Sequence, residues 1–398
     1  MSDKDLAAAI VCLIVAKRQK RKRRIWTKGW LMKRPIYNNE RLLKDLELTE
    51  LKYFKNYMRM DPIKFRQLIQ LVKPLIEKTN TVMREAISPF QRLAITLRYL
   101  ATGNTFEDLK FSTAISPQSL GKIVIETCEA IIQVLKDYIK RVFISGDWLT
   151  WNAPHILGAI DGKHVEINKP PGSGSYYYNY KKQFSIVLMA IVNANYEFIM
   201  VDVGTNGRVS DGGVLQNTKF GQKLRNNDLN IPRSAVVNNS TRSLPYVFVG
   251  DDAFPMGPNL LKPYSQTGLT KEKRIFNYRL SRARRLVESA FGILATRFGV
   301  FQRSFYLHPV KVQKVVLACC YLHNFLRKST YFSYKLIPHE DVDTGTVHPP
   351  AEKITVLTPL ESCNQKNLLQ IAKRARDDYC EYFNNEGAVY WQDKFVTM

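Results

Sequence analysis

The chain has 398 residues with 45% hydrophobic content, enough for one large core or two modest ones, and we expect two domains. Its 59 lysine and arginine residues against 35 aspartate and glutamate residues give a net charge of +24. This surplus exceeds what solubility requires and indicates a polyanionic partner, with nucleic acid as the first candidate. The six cysteines show no CxxC spacing, which disfavours a zinc site or a disulfide framework and favours a reducing compartment.

Residues 1–35 are predicted to form a basic N-terminal arm. Residues 6–16 are apolar, but this run is too short to cross a membrane and precedes the positive charge, so we expect a short helix and no membrane association. The basic residues that follow are Lys17, Arg18, Lys20, Arg21, Lys22, Arg23 and Arg24. Such a run is typical of a nuclear localisation signal or a phosphate-binding arm, although a solvated charge run has the same composition. We therefore predict a nuclear protein, with shuttling to the cytoplasm left open.

Residues 36–145 are predicted to be an all-α domain, because apolar residues recur there at spacings of three and four. A helix over residues 89–101 is followed by a break at Gly103, a short helix over residues 105–111, and a third helix that Ser116 caps. This pattern resembles a helix-turn-helix unit, whose last helix would read a DNA groove. The alternative is a helical bundle that packs on the next domain, and the sequence does not separate the two.

The sequence pattern changes in residues 146–330, which are predicted to form an α/β domain. Apolar, β-branched runs predict strands, and a long helix follows them; the strands are expected at residues 156–160, 184–192, 198–203 and 246–249, and the helix at residues 276–297. This order fits a mixed sheet covered by helices. Residues 331–398 are predicted to be a polar C-terminal extension with one late helix near residues 370–383.

Three carboxylates stand where they could meet. Asp161 and Asp251 each follow a predicted strand, and strand ends are where open α/β sheets place their ligand chemistry. Glu288 borders the apolar stripe of the long helix. Carboxylates from three separate elements are a sufficient site for Mg²⁺ or Mn²⁺. The alternatives are turn aspartates beside glycine and a surface ion pair between Glu288 and Arg284.

Segments 159–164, 250–255 and 287–294 resemble, in order and spacing, the three signature blocks of PIF/Harbinger transposases and the nucleases derived from them. The family usually carries a small hydroxyl residue where this chain has Asp252. Asp251 is chosen as the second acid because it directly follows Gly250.

The resemblance implies a DDE nuclease with a ribonuclease H-like fold, in which Asp161, Asp251 and Glu288 are the catalytic residues and the metal ligands. It implies a metal-dependent endonuclease that hydrolyses DNA phosphodiester bonds by a two-metal mechanism and, in a transposase, also transfers strands. One alternative is a domesticated, catalytically silent protein that binds DNA or recruits chromatin factors, and another is a cellular nuclease without strand transfer. The intact set of three acids favours the first reading. A Myb-like DNA-binding partner is implied by the resemblance alone, and a homo-oligomer is left open.

Several cationic and aromatic side chains are predicted to contact DNA. The loop before the second strand carries tyrosines beside lysines, a combination that suits base stacking and phosphate pairing, and arginines decorate the long helix. The predicted DNA-binding residues are Lys163, Tyr180, Lys181, Lys182, Arg279, Arg282 and Arg285. His164 and His323 are predicted to be structural, because a lone histidine is more often a hydrogen-bonded neighbour than a ligand.

Overall fold

In a computed structural model of the chain, the residues that the structure describes are 30, 33–37, 39–82, 85–139, 154–237, 240–327, 339–340, 347–348, 358–359 and 370–395. The basic run from Lys17 to Arg24 lies outside the described residues. So does the segment 140–153, which contains the predicted boundary between the helical and the α/β domains.

The N-terminal part of the described chain is helical, as predicted. Its helices are α1 (Arg34–Tyr37), α2 (Glu40–Thr49), α3 (Leu51–Met58), α4 (Pro62–Ile76), α5 (Pro89–Thr102), α6 (Phe106–Thr113) and α7 (Pro117–Val134). Helix α5 begins where the Ser88 side chain accepts a hydrogen bond from the Gln91 N–H, and it ends at Gly103 in the left-handed conformation (φ 64°). A Cβ at Gly103 would lie 3.0 Å from the Val300 Cα, so glycine also permits a close approach of backbones.

Helix α7 is the third helix of the predicted helix-turn-helix unit, and eight of its 18 residues are buried. It packs against α4, α5 and α6 and against α11 (Pro309–Arg327) of the α/β part. Leu120, Val124 and Ile131 on this helix are fully covered. A helix that reads a DNA groove needs an exposed face, and the exposed residues on the other face of α7 are Gln118, Lys122, Glu129 and Gln133. One face of α7 therefore belongs to a bundle that supports the sheet, and the other leaves the helix-turn-helix prediction open.

The sheet is mixed and has a five-strand path with an added short strand. The strands are β1 (Ile156–Glu166), β2 (Ser185–Val192), β3 (Phe198–Asn206), β6 (Val247–Val249), β7 (Leu260–Leu261) and β10 (Thr358–Pro359), besides the two-residue strands β4 (Ala235–Val236), β5 (Ser243–Leu244), β8 (His339–Glu340) and β9 (Val347–His348). The order is β3-β2-β1-β6-β7, and β10 pairs with β1. Strands β1, β2 and β3 are antiparallel, whereas β6 and β7 run parallel to β1.

Helices cover both faces of this sheet, and they are α8 (Asp211–Asn217), α9 (Lys219–Arg225), α10 (Lys271–Arg297) and α11. Every residue of β2 is buried, as expected of a strand with both faces covered. The core between the sheet and helices α10 and α11 continues into the N-terminal helices, from Leu43 to Leu135. A smaller core on the other face includes Val214 of α8 and Phe220 of α9. The predicted mixed α/β sheet covered by helices is thus confirmed.

Near its C-terminus the described chain returns to the long helix α10. Helix α12 (Gln370–Asn384) packs along α10, and the residues that follow reach its first half. The late helix predicted near residues 370–383 is confirmed. Among the described residues, no helix combines the length and apolar character that a membrane crossing needs.

Candidate active site

The position of Asp161 differs from the prediction. Strand β1 does not end before this residue but continues to Glu166, paired along this stretch with β2. What ends near Asp161 is the parallel pairing with β6, whose last partners are Ala159 and Val249. The prediction of a strand end was wrong because β2 holds β1 in extended form after β6 has stopped.

Register places Asp161 and Asp251 side by side. Each aspartate lies two residues beyond the Ala159–Val249 pair, on neighbouring parallel strands. Neighbouring strands are about 4.8 Å apart, so the two backbones leave the paired region next to each other. The charge of Asp161 raises the pKa of Asp251, which is a further sign that the two carboxylates are close. This proximity is the geometric centre of the candidate site.

Asp161 is almost fully buried, with 2% of its surface exposed. Its Oδ1 accepts a hydrogen bond from the Gly162 N–H at 2.9 Å. Its Oδ2 lies 2.7 Å from the Lys163 Nζ as an ion pair but takes part in no well-directed hydrogen bond among the described residues. A buried carboxylate oxygen without a directed donor is expensive unless a cation compensates it.

Asp251 is held by the turn that follows β6. Its Oδ1 accepts the Ala253 N–H at 2.9 Å, and its Oδ2 lies 3.8 Å from the Arg284 Nη2. Burial raises the pKa of Asp251, the Arg284 guanidinium opposes this rise, and the negative charge of Asp161 adds to it. The neighbouring Asp252 takes part through its backbone carbonyl, which accepts from the Lys262 Nζ at 3.1 Å. These contacts support the choice of Asp251 over Asp252.

Glu288 reaches the same region from α10 through a shared arginine. Its Oε1 lies 3.6 Å from the Arg284 Nη2, the same atom that approaches Asp251. The two carboxylate oxygens are therefore no more than 7.4 Å apart, the sum of 3.8 and 3.6 Å. The expected ion pair between Glu288 and Arg284 is present, and it leads directly to the second aspartate.

For the three acids to hold one divalent cation, the Glu288 side chain would have to turn toward the two aspartates. Among the described residues, no three acidic, histidine or cysteine side chains are yet close enough to hold a metal together. The Glu288 side chain is half exposed, so little packing opposes its rotation. The acids already attract two cationic groups, since Lys163 contacts Asp161 and Arg284 lies near both Asp251 and Glu288. Hard divalent cations prefer carboxylate oxygens of this kind.

The predicted DNA-binding residues fall into different environments. Tyr180, Lys181 and Lys182 are exposed on the loop before β2. Lys163 lies inside the site, on Asp161, and not on the outer surface. Arg285 is half-buried and forms no ion pair with a described acidic residue.

Arg279 and Arg282 require a correction, because both are buried and face the C-terminal segment. The Arg279 Nη1 donates to the Gly387 carbonyl at 3.1 Å and to the Gln392 Oε1 at 3.0 Å. The Arg282 guanidinium lies 3.8 Å from the centre of the Trp391 ring. They were predicted as DNA contacts because sequence shows the charge of an arginine but not the distant segment that covers it.

His323 is structural, as predicted. Its Nε2 lies 2.8 Å from the Tyr196 carbonyl, and its ring packs edge-on against Phe198. His164 is also buried and contacts the Ser185 hydroxyl. The sequence analysis missed the contact chain of Asn179, Ser185 and His164. Its only signal in the sequence is a run of polar residues among apolar and aromatic neighbours, which is weak.

Comparison with known proteins agrees with this geometry. Residues 160–324, a segment that contains all three predicted acids, match the family described as DDE superfamily endonuclease.

Among its relatives, a protein named "Protein ALP1-like" from Arabidopsis thaliana is 25% identical over 70% of this chain and 71% of its own. The protein named "Putative nuclease HARBI1" from Rattus norvegicus is 22% identical over 65% of this chain and 72% of its own, and its Homo sapiens counterpart is 23% identical over 61% and 69%. The predicted resemblance to Harbinger-derived proteins is confirmed. No solved structure matches the chain.

Proposed function

We propose that this protein is a metal-dependent DNA endonuclease of the transposase type, built on a ribonuclease H-like fold. The observation that carries the proposal is the register of Asp161 and Asp251 on adjacent parallel strands, with Glu288 linked to Asp251 through Arg284. The antiparallel β1-β2-β3 unit followed by parallel strands and the long helix α10 is the order expected of that fold.

Asp161, Asp251 and Glu288 would hold Mg²⁺ or Mn²⁺. Such ions lower the pKa of a bound water and offset the charge on the leaving 3′ oxygen of DNA. The chain's own contribution is to fix two carboxylates in a buried strand and its neighbour, where water competes little for the ligand oxygens. Lys163 and Arg284 balance the acids before loading and, once displaced from them, are placed to contact DNA phosphate.

DNA is the proposed substrate because the chain carries a net charge of +24 and an exposed loop of aromatic and basic residues beside β1. We also propose that the basic run of the N-terminal arm directs the protein to the nucleus. We propose further that the protein acts together with a Myb-like DNA-binding partner or as a homo-oligomer. Strand transfer belongs to the same proposal, since a freed 3′ hydroxyl can replace water in one set of ligands.

The decisive experiment is metal-dependent nicking of supercoiled DNA by the wild type and by Asp161→Asn and Glu288→Gln. Both substitutions keep the shape of the side chain and remove its negative charge, so nicking should fall to background while the proteins remain folded. Glu288→Gln should leave the apo melting temperature unchanged or raise it, because like charges repel. Asp161→Asn removes the ion-pair partner of Lys163 and should lower the melting temperature while unfolding stays cooperative.

The matched control is Glu272→Gln, which makes the same chemical change at an exposed glutamate in the first turn of α10. This variant should nick DNA at the wild-type rate. Manganese should raise the melting temperature of the wild type and of the control more than that of Glu288→Gln. Salt-dependent DNA binding without nicking by the wild type would contradict the proposal and support the catalytically silent DNA-binding alternative. Nicking without joining of cut ends to target DNA would support a nuclease without strand transfer.

A further inference from the structure

A cavity lies at one end of the sheet, separate from the three carboxylates. Its volume is about 270 Å³, and its lining includes His164, Tyr178, Tyr180, Gly207, Arg208 and Ser210, a set called here the tyrosine pocket. His164 is three residues beyond Asp161 on β1, so its side chain projects from the opposite face of the sheet. The tyrosine pocket is therefore a second site.

A polar relay fixes His164 at the wall of the tyrosine pocket. The Asn179 Oδ1 accepts the backbone N–H groups of Lys181 and Gln183, both at 3.0 Å, which orients its amide. The Asn179 Nδ2 then donates to the Ser185 Oγ at 3.0 Å, and that hydroxyl lies 2.9 Å from the His164 Nδ1. Because the Ser185 Oγ already accepts from Asn179, we assign its own proton to the hydrogen bond with Nδ1, and on this assignment the His164 Nε2 carries the ring proton and is a donor.

The His164 Nε2–H group is an unsatisfied donor within the described part of the chain. His164 is 2% exposed, and its Nε2 has no hydrogen-bond partner among the described residues. Burial, together with the nearby Lys181, lowers the pKa of His164 to about 4, so the ring is neutral at physiological pH. A buried N–H without an acceptor costs free energy, and a ligand with an acceptor atom would recover it.

The surroundings indicate the chemical class of that ligand. The Tyr180 ring is centred 5.8 Å from the His164 ring, lies 5.6 Å from the Lys181 Nζ and is 44% exposed, so a partly exposed aromatic ring stands beside an amine at the opening of the pocket. Arg208 and Lys181 are exposed beside the tyrosine pocket, where they suit the phosphates on either side of a base. The volume is slightly below the range of about 300–1,000 Å³ for pockets that hold drug-sized molecules, which suits one nucleotide and excludes a duplex.

We infer that the tyrosine pocket binds a single unpaired nucleotide of a DNA strand, with the base on Tyr180 and His164 and its phosphates on Arg208 and Lys181. This inference rests on the proposed action on DNA and adds a preference for DNA with an unstacked end or an unpaired base. Every base offers an oxygen or nitrogen acceptor to the His164 Nε2, so we expect little selectivity among bases.

Fluorescence anisotropy in the presence of EDTA tests the inference without cleavage. The full chain should bind a duplex with a short single-stranded overhang about ten-fold more tightly than the blunt duplex at the same salt concentration, the effect of one stacked base. The blunt duplex is made with the same total number of phosphates as the overhang duplex, so that nonspecific electrostatic attraction does not favour the overhang. Tyr180→Leu should abolish the preference, so that the overhang and blunt duplexes bind this variant with equal affinity. Tyr53→Leu, at an exposed tyrosine of α3, should retain it.

Two further measurements separate a base from an anion. His164→Phe keeps the ring shape and removes the donor, and it should lower the overhang preference in protein that still melts cooperatively. A free deoxynucleoside monophosphate should compete with the overhang at concentrations where inorganic phosphate does not. Equal competition by phosphate, or equal affinity for blunt and overhang duplexes in the wild type, would overturn the inference. Failure of nicking with the overhang preference intact would overturn the proposed nuclease and leave the tyrosine pocket standing.

Discussion

Helix α10 has two sections whose arginines have opposite surroundings. In the first section, Arg279 and Arg282 are buried under the C-terminal segment, against Gln392 and Trp391. Two positions after Arg282, the Arg284 guanidinium contacts both Asp251 and Glu288 at the candidate active site. These three arginines lie within six consecutive positions of one helix. Because their side chains leave the helix in different directions, two pack against the C-terminal segment and one reaches the candidate active site.

The difference shows that a cluster of arginines on one helix is not a single surface. Burial lowers the pKa of Arg279 to about 10, with a further contribution from Arg282, which shows how far this group has been removed from water. An arginine so buried needs compensating hydrogen bonds and aromatic faces, and the C-terminal segment provides both. The last described residues are thus part of the fold that carries Glu288.

The largest effect is expected from Arg279→Ala. The substitution removes two buried hydrogen bonds and leaves a cavity between the rings of Phe383 and Trp391, so we expect a loss of about 3 kcal/mol in the free energy of unfolding. Arg285→Ala on the same helix should cost less than about 0.5 kcal/mol. Urea denaturation measures both. Similar losses for the two variants would remove the distinction between the sections of α10.

The sequence predicted the acids better than the cations. Asp161, Asp251 and Glu288 could be selected because each stands in a short segment that resembles one of the three signature blocks of the Harbinger family, and such segments are readable in one chain. The surroundings of Arg279 depend on Gln392, more than 100 positions away, and no local pattern carries that information. The end of β1 was misjudged for the same reason, because the partner strand β2 and not the local composition sets its length.

A second prediction concerns His323, which is buried near Arg297 at the far end of α10. Burial, assisted by Arg297, lowers the pKa of His323 to about 3, whereas an unfolded histidine titrates near 6.5. The unfolded state therefore takes up a proton between these values and the native state does not. The neutral His323 therefore contributes its full stabilisation of the native state above about pH 6.5, and this stabilisation is lost as the pH falls toward 3. The free energy of unfolding should decrease by about 2 kcal/mol between pH 7 and pH 5.

Thermal or urea unfolding at pH 7 and pH 5 measures this contribution. His323→Phe should be less stable at pH 7, because the Tyr196 carbonyl loses its partner, but its stability should depend less on pH. His308→Gln, at an exposed histidine, should keep the wild-type pH dependence. If His323→Phe and the wild type lose the same free energy on acidification, His323 is not held neutral by its surroundings.

A third prediction sharpens the contrast at the active-site section of α10. The Arg284 guanidinium lies between the carboxylates that we propose as ligands, so a metal ion must compete with it. Arg284→Gln should therefore bind Mn²⁺ about three- to five-fold more tightly, a modest change because the arginine is partly solvated. Calorimetric titration measures the affinity, and Arg285→Gln removes the same charge from the next position as a control. Equal Mn²⁺ affinities in both variants and the wild type would show that Arg284 does not occupy the metal position.

The smallest effect is expected at Arg285, the predicted DNA contact of α10 that is neither buried under the C-terminal segment nor paired with a described acid. If it meets one phosphate, Arg285→Gln should reduce the slope of log affinity against log salt by about 0.9, the counterion release for one neutralised phosphate. Arg225→Gln removes the same charge from the exposed end of α9 and should leave the slope unchanged. The measurement is anisotropy of a labelled duplex over a range of salt concentrations in EDTA, so that metal binding does not contribute. An unchanged slope for Arg285→Gln would show that Arg285 contacts no phosphate and would leave the loop of Lys181 and Lys182 as the predicted site of phosphate contacts.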